Sequence, residues 1–303
     1  MSQIFDALQK SEAERRGTSE ALAVDELLRE AESRVASRAG SRDPAAGNGV
    51  LDGGNAAESA ISLQMLRHEF ESLAINPVEE SRLICLPGNE SVAVEAFHLL
   101  GVRLRHLRKE RILSKILITS SIPQEGKSVS AANLACTLAR KTQQRTLLLE
   151  GDIRRPTQAR IFGIRPKWGL SAWLKGEADL MDCIYKLEGL GLYILPAGEG
   201  INLAPDILQP AKMSSLISQL EAFFDPIIID SPPMLPLADA SIWKNLADGV
   251  LLVTREGVTE RKKLLRGLEA IEPQKLIGAI VNSSSLEEQD GYYYRSDQSL
   301  ETA

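Results

Sequence analysis

Residues 115–128 read Lys-Ile-Leu-Ile-Thr-Ser-Ser-Ile-Pro-Gln-Glu-Gly-Lys-Ser. The first half is an apolar run of strand length, and the second is a loop that ends in Gly126-Lys127-Ser128. Ala131, Leu134, Ala135 and Leu138 follow at helical spacing. Strand, loop and helix in this order build a phosphate site. The strand end delivers the loop, loop N–H groups turn toward phosphate oxygens, and the helix N-terminus adds partial positive charge. Lys127 is placed to reach the β- and γ-phosphates, and the Ser128 hydroxyl to hold Mg²⁺. Ser121, Ile122, Pro123, Gln124, Glu125, Gly126, Lys127, Ser128 and Val129 are therefore the candidate nucleotide-binding residues. Ser121 stands where a first glycine is common, so Gly126 is the loop's remaining glycine. Gly-Lys-Ser alone also occurs in surface turns, and the flanking strand and helix patterns carry the reading.

Two further apolar runs end in carboxylates. Thr146-Leu147-Leu148-Leu149 leads into Glu150-Gly151-Asp152-Ile153-Arg154-Arg155-Pro156, and Pro226-Ile227-Ile228-Ile229 leads into Asp230-Ser231-Pro232-Pro233. Continuous apolar runs suit strands buried on both faces of a parallel sheet. Ligands of such sheets bind beyond the carboxyl ends of the strands, so Asp152 and Asp230 should converge on the loop. A hard cation asks for few carboxylates, with water and phosphate oxygens completing its shell. Pairing of Asp152 with Arg154 or Arg155 on the surface is the plainer alternative.

Alternation sets the fold class. Strands are expected at 115–120, 146–151, 192–196, 226–230, 248–254 and 276–282, and helices at 127–141, 212–224, 238–246 and 259–271. A further helix is expected from Val92 to Arg105, and a strand at Leu83–Leu86. The pattern gives an α/β protein, a mostly parallel sheet with helices on both faces. Around it we expect a helical segment at 1–35, a linker at 36–80 with a short helix at 61–80, a compact domain at 81–285 and a tail at 286–303. The N-terminal segment sets Ile4, Phe5 and Leu8 on one face, which suits a partner, a membrane surface or a weakly packed terminal helix.

Composition excludes several classes. The 303 residues carry 44% hydrophobic and 25% charged side chains, ordinary values for a globular chain. A net charge of −6 argues against a nucleic-acid partner. Cys85, Cys136 and Cys183 form no metal or redox motif and suit a reducing compartment. No apolar stretch is long enough to span a bilayer, and no signal peptide is expected at the N-terminus. Three of the five tyrosines stand together at 292–294, after Glu287, Glu288, Gln289 and Asp290. That setting reads as an exposed tail, either a phosphoacceptor or an aromatic tail without chemistry.

Together, residues 120–128, 150–156 and 229–233 and the tail Gly291-Tyr292-Tyr293-Tyr294 resemble the bacterial tyrosine autokinases of capsule and exopolysaccharide synthesis. These are similar to ParA/MinD-type P-loop ATPases. The resemblance runs from about Ser91 to the C-terminus. It takes in Gly169–Glu177 and Leu195-Pro196-Ala197-Gly198. It implies ATP and Mg²⁺ as cofactors, with Lys127, Asp152, Asp230, Glu150 and Arg154 as catalytic residues and Ser128, Asp152 and Asp230 around the metal. It implies Tyr292, Tyr293 and Tyr294 as phosphoacceptors, with Asp152 as first choice for the proton acceptor and Glu150 as second. Asn282 would contact the base, although a turn asparagine closing a strand explains it equally well. The implied partners are a membrane-spanning polysaccharide co-polymerase that activates the kinase, a cognate tyrosine phosphatase and further copies of the chain. The implied location is cytoplasmic, peripheral at the inner face of the membrane through that partner.

Two motifs depart from the family. Glu150 replaces the usual aspartate, moving the carboxylate by about one bond. Glu95, His98 and Gly101 occupy the places of a Glu-x-x-Arg-x-x-Arg helix linked to ring assembly, with Arg103 and Arg105 out of register. His98 reads as a solvated helix residue. A partner-switching ATPase with an incidental tail, or a nucleotide-bound scaffold without catalysis, remain the alternatives at this level.

Overall fold

The computed structural model describes residues 69–78, 81–86, 91–140, 145–199, 208–235 and 238–283. The tyrosines at 292–294, the helical segment expected at 1–35 and the linker at 36–60 lie outside the described residues.

In chain order the elements are β1 (Glu71–Leu73), α1 (Val92–Glu110), β2 (Lys115–Ser120), α2 (Lys127–Ala139), β3 (Thr146–Glu150), α3 (Gln158–Phe162) and α4 (Leu170–Lys175). A 3₁₀ turn at Met181–Cys183 follows, then β4 (Tyr185–Leu187), β5 (Leu192–Leu195), α5 (Pro210–Glu221), β6 (Ile227–Asp230), α6 (Ala238–Leu246), β7 (Gly249–Arg255), α7 (Arg261–Glu269) and β8 (Leu276–Asn282). They form one eight-stranded sheet in the order β1-β4-β5-β3-β6-β2-β7-β8. Every pairing is parallel except that of β4 with β5.

The apolar runs follow from burial on both sides. Successive side chains of a strand point to opposite faces. Leu117, Leu147, Leu149, Ile227, Ile229, Val250 and Leu252 meet Met213, Leu216 and Leu220 of α5, Trp243 of α6 and Leu264 of α7. Ile116, Ile118, Leu148, Ile228, Leu251 and Val253 meet Leu104 of α1 and Ala131, Leu134, Ala135 and Leu138 of α2. Fully burying one such aliphatic side chain contributes roughly 1.5–3 kcal/mol, so a polar residue at any of these central positions would be costly.

The expected strands at 115–120, 146–151, 192–196, 226–230, 248–254 and 276–282 are present to within one residue at each end. Other expectations need correcting. The segment at 61–80 does not continue as a helix through its described part. Glu71–Leu73 is instead an edge strand paired with β4, so the sheet reaches N-terminal of residue 81. Leu83–Leu86 is not a strand. Its backbone is held by a side chain, with Ile84 N–H donating to Asn133 Oδ1 (2.9 Å) and Asn133 Nδ2 donating to the Arg82 carbonyl (3.0 Å). The short helices α3 and α4 and the antiparallel β4 are additions to the expected list.

Candidate functional site

β2, β3 and β6 are neighbours at the centre of the sheet, and their register sets Ile118 and Glu150 beside Asp230. Their carboxyl ends therefore open at one edge, where the loop between β2 and α2 turns over them. Lys127 Nζ lies 2.9 Å from Asp152 Oδ2 and 3.6 Å from Asp230 Oδ1. Ser128 Oγ donates to Asp230 Oδ1 at 3.1 Å. The convergence expected of Asp152 and Asp230 is thus present, and Asp152 pairs with Lys127 rather than with an arginine side chain. Burial opposes the charge on Lys127, but the Asp230 and Asp152 carboxylates outweigh it and raise its pKa. Burial is also the main force on Asp230, raising its pKa against the pull of Lys127.

Not all nominated residues face the nucleotide side. A cavity of about 850 Å³ is lined by Pro123, Gln124, Gly126, Lys127, Ser128, Val129 and Asp152, together with Arg154, Arg155, Thr157, Arg160 and Ile161 and with Val78, Ser81, Pro233 and Leu235. Ser121, Ile122 and Glu125 support the loop instead of lining the cavity. Glu125 accepts from Ile122 N–H at 2.8 Å and from the Thr259 hydroxyl. Gly126 has φ 92°, and a Cβ there would lie 2.0 Å from Asn282 Nδ2. Asn282 itself donates to the Glu125 carbonyl at 2.9 Å, and its Oδ1 accepts from Ser283 N–H at 2.9 Å. One N–H and one lone pair of its amide thus close the strand end on the loop, as expected of a turn asparagine.

Glu150 also needs correcting. Its Oε1 accepts from Thr157 and Gln158 N–H, and its Oε2 from Ala197 N–H at 2.9 Å. It is fully buried and knots the ends of β3 and β5 to the start of α3. Burial pushes its pKa to about 7, against three main-chain donors that stabilise the charged form. A group so enclosed does not reach an incoming hydroxyl. Arg154 lines the cavity but is held by Asp239 of α6 through its Nε, and this partner raises its pKa.

Sequence reasoning missed Gln158. Its Nε2 donates to Asp230 Oδ2 (2.8 Å) and to the Ser128 carbonyl (3.0 Å), fixing the buried aspartate against the loop. No spacing signal announces it, because it depends on where α3 lands. Arg160 was missed as a cavity residue for the same reason, and Arg155 stood in the 150–156 motif without a role of its own. The donor set suits Mg²⁺: a hydroxyl and two carboxylates, all oxygens, meet beside a lysine. A magnesium site needs few protein ligands because water and phosphate supply the rest. Among the described residues no cluster of three or more His, Cys, Asp or Glu side chains suits a metal.

No protein-family model matches the chain. The tyrosine-protein kinase YwqD of Bacillus subtilis (strain 168) is 30% identical over 226 residues, 73% of this chain and 95% of that protein. The succinoglycan biosynthesis transport protein ExoP of Rhizobium meliloti is 36% identical over 183 residues, 58% of this chain but 23% of its own length. Among solved structures, the chimerical protein CapA2B2 superposes with a TM-score of 0.62 at 27% identity, covering 74% of this chain and 97% of that one. The septum site-determining protein MinD of Pyrococcus horikoshii OT3, complexed with Mg-ADP, gives 0.50 at 25% identity, covering 57% and 72%.

Proposed function

The chain belongs to the bacterial tyrosine-protein kinase family, and on that premise we propose that it transfers the γ-phosphoryl group of ATP to its own tail tyrosines, Tyr292, Tyr293 and Tyr294. One observation supports this above the rest: Lys127, Ser128, Asp152 and Asp230, drawn from three separate strand ends, lie within hydrogen-bonding or ion-pair distance of one another. Lys127 offers its ammonium to the phosphoryl oxygens as charge builds on them, and the loop N–H groups position the group in line. Ser128, Asp152 and Asp230 would hold Mg²⁺ directly or through water, where it would supply positive charge against the phosphates. The tyrosine oxygen bonds to the γ-phosphorus as the bridging oxygen leaves with ADP. A free phenol has a pKa of about 10, so the hydroxyl needs an acceptor for its proton. Asp152 fills that role: it is 4% exposed and lines the cavity, whereas Asp230 is fully enclosed. Arg154, in the cavity lining, steadies phosphate oxygens.

Phosphorylation of the tail then regulates polymerisation or export of an exopolysaccharide, a reading supported by the named role of ExoP. Activation comes from a membrane-spanning co-polymerase, and a tyrosine phosphatase reverses the reaction. Among the described residues no helix is long and apolar enough to cross a membrane. The kinase sits at the inner face of the membrane through its partner. Further copies assemble through α1, whose outer side shows Val92, Leu99 and Val102 at 75%, 50% and 50% exposure. The similarity to MinD favours one second reading, an ATPase that changes partners with its nucleotide.

Incubating purified protein with labelled ATP and mapping phosphotyrosine tests the proposal. Label should appear at 292–294 and vanish when all three are changed to Phe. Equal labelling of wild type and Lys127→Met would refute it. Phosphate release without phosphotyrosine would favour the MinD-like reading.

A further inference from the structure

The cavity lining carries four basic side chains, Lys127, Arg154, Arg155 and Arg160, against one carboxylate, Asp152, although the whole chain is net negative at −6. Lys127 is paired with Asp152, and Arg154 with Asp239. The other two are not engaged in this way. Arg155 gives its backbone N–H to Asp152 Oδ1 at 3.1 Å, and no ion pair holds the guanidinium of Arg155 or Arg160 among the described residues. Both side chains are exposed at the cavity wall, and the mechanism above uses neither. A guanidinium fork is built to receive carboxylate or phosphate oxygens in pairs.

The sequence supplies a fitting occupant. Asn282 is fastened to the Glu125 carbonyl, so the tail departs beside the phosphate loop. From Ser283 to Tyr292 an extended chain spans at most about 30 Å. Within that span Glu287, Glu288 and Asp290 lie two to five residues before the first tyrosine. A tyrosine hydroxyl at Asp152 would leave these carboxylates roughly 7–18 Å away along an extended chain. Arg155 is three residues from Asp152, with its main chain touching that carboxylate, so its guanidinium covers the near end of that range.

We propose that Arg155 and Arg160 are the docking site for the acidic stretch 287–290 of this chain's tail and thereby select acid-flanked tyrosines as substrates. The inference rests on the reading of the tail as phosphoacceptor. It adds a specificity device: charge complementarity orients the segment before transfer, and unflanked tyrosines are excluded.

Charge reversal in the full chain tests it. Three variants are compared with wild type: Arg155→Glu with Arg160→Glu; Glu287→Lys, Glu288→Lys and Asp290→Lys; and all five changes together. Each partial reversal should slow tail labelling about tenfold, and the combined reversal should restore most of it. Affinity for Mg-ATP should stay the same in all four proteins. Failure of the combined reversal to recover labelling overturns the proposal. So does a parallel loss of nucleotide affinity, which would assign the arginines to ATP. A binding arm does not depend on chemistry: a fluorescent peptide spanning 286–295 should bind wild type about tenfold more tightly than the same peptide with Gln and Asn at its acidic positions. Equal binding overturns the docking site even where labelling occurs. Absence of any tail label in wild type, with the peptide preference intact, overturns the autokinase reading and leaves the acidic docking site standing.

Discussion

Ser121 replaces a glycine usual in phosphate loops, and the compensation lies on another element. Its hydroxyl is buried, and a Cβ at Gly267 of α7 would come within 2.2 Å of it. The space that a loop glycine would leave is filled by serine and vacated by the helix. Gly267→Ala should therefore lower stability by about 1–3 kcal/mol through overpacking, and Ser121→Gly in the same protein should recover most of the loss. Thermal denaturation of the single and double variants measures both effects. Glu125 makes a second prediction at this scale. Burial raises its pKa above the usual carboxylate value despite hydrogen bonds from Ile122 and Thr259. A raised carboxyl pKa means that the folded protein binds the proton more tightly than the unfolded chain. This contribution is therefore favourable at low pH and fades as pH rises above about 4.5. Glu125→Gln keeps an acceptor for Ile122 N–H and offers a donor to the Thr259 oxygen. The variant should gain stability relative to wild type as pH is raised from 4 to about 8. Denaturant melts across that range would show parallel curves if the premise is wrong.

The long elements were legible because their periodicity is driven by burial. β2, β3, β6 and β7 have apolar centres since helices cover both faces, and α2 repeats Ala and Leu at the spacing that meets them. Short elements were not. β4 has three residues and owes its strand form to pairing with β5 and β1, and α3 has five residues tied down by Glu150. The segment 82–85 shows the same dependence in reverse. Its apolar residues suggest a strand, but no sheet edge is offered to it, and Asn133 takes both of its inward backbone groups. Asn133→Leu should leave Ile84 N–H and the Arg82 carbonyl without partners, at a cost of about 1–3 kcal/mol for each that stays buried. Faster hydrogen exchange at Ile84 than at the centre of β2 would report the release. Unchanged protection there would show that the clip does not hold the segment.

For the molecule as a whole, nucleotide binding and stability should be linked. A ligand that binds only the folded state at a hundred times its Kd adds about 2.7 kcal/mol. Saturating Mg-ATP should raise the melting temperature of wild type, chelation of the metal should remove part of that rise, and Lys127→Met should remove most of it. The variant should also melt earlier without ligand, because Asp152 and Asp230 lose the cation beside them. Equal ligand-induced shifts in the two proteins would count against Lys127 as a phosphate contact. Sequence alone determined six of the eight strands, the loop and the meeting of Lys127, Ser128, Asp152 and Asp230, because each follows from local pattern plus the rule that parallel strand ends form the binding edge. Only the tertiary structure decided which residues turn inward. Glu150 and Asn282 resemble site residues in a linear reading but close on main-chain groups that arrive from β5, α3 and the loop. Gln158 and Arg160 belong to no motif and come to the cavity region on α3, and Arg155, inside the 150–156 motif, is set on the lining only by the fold. Direction in space depends on the neighbours that distant segments bring, and a one-dimensional pattern holds no record of them.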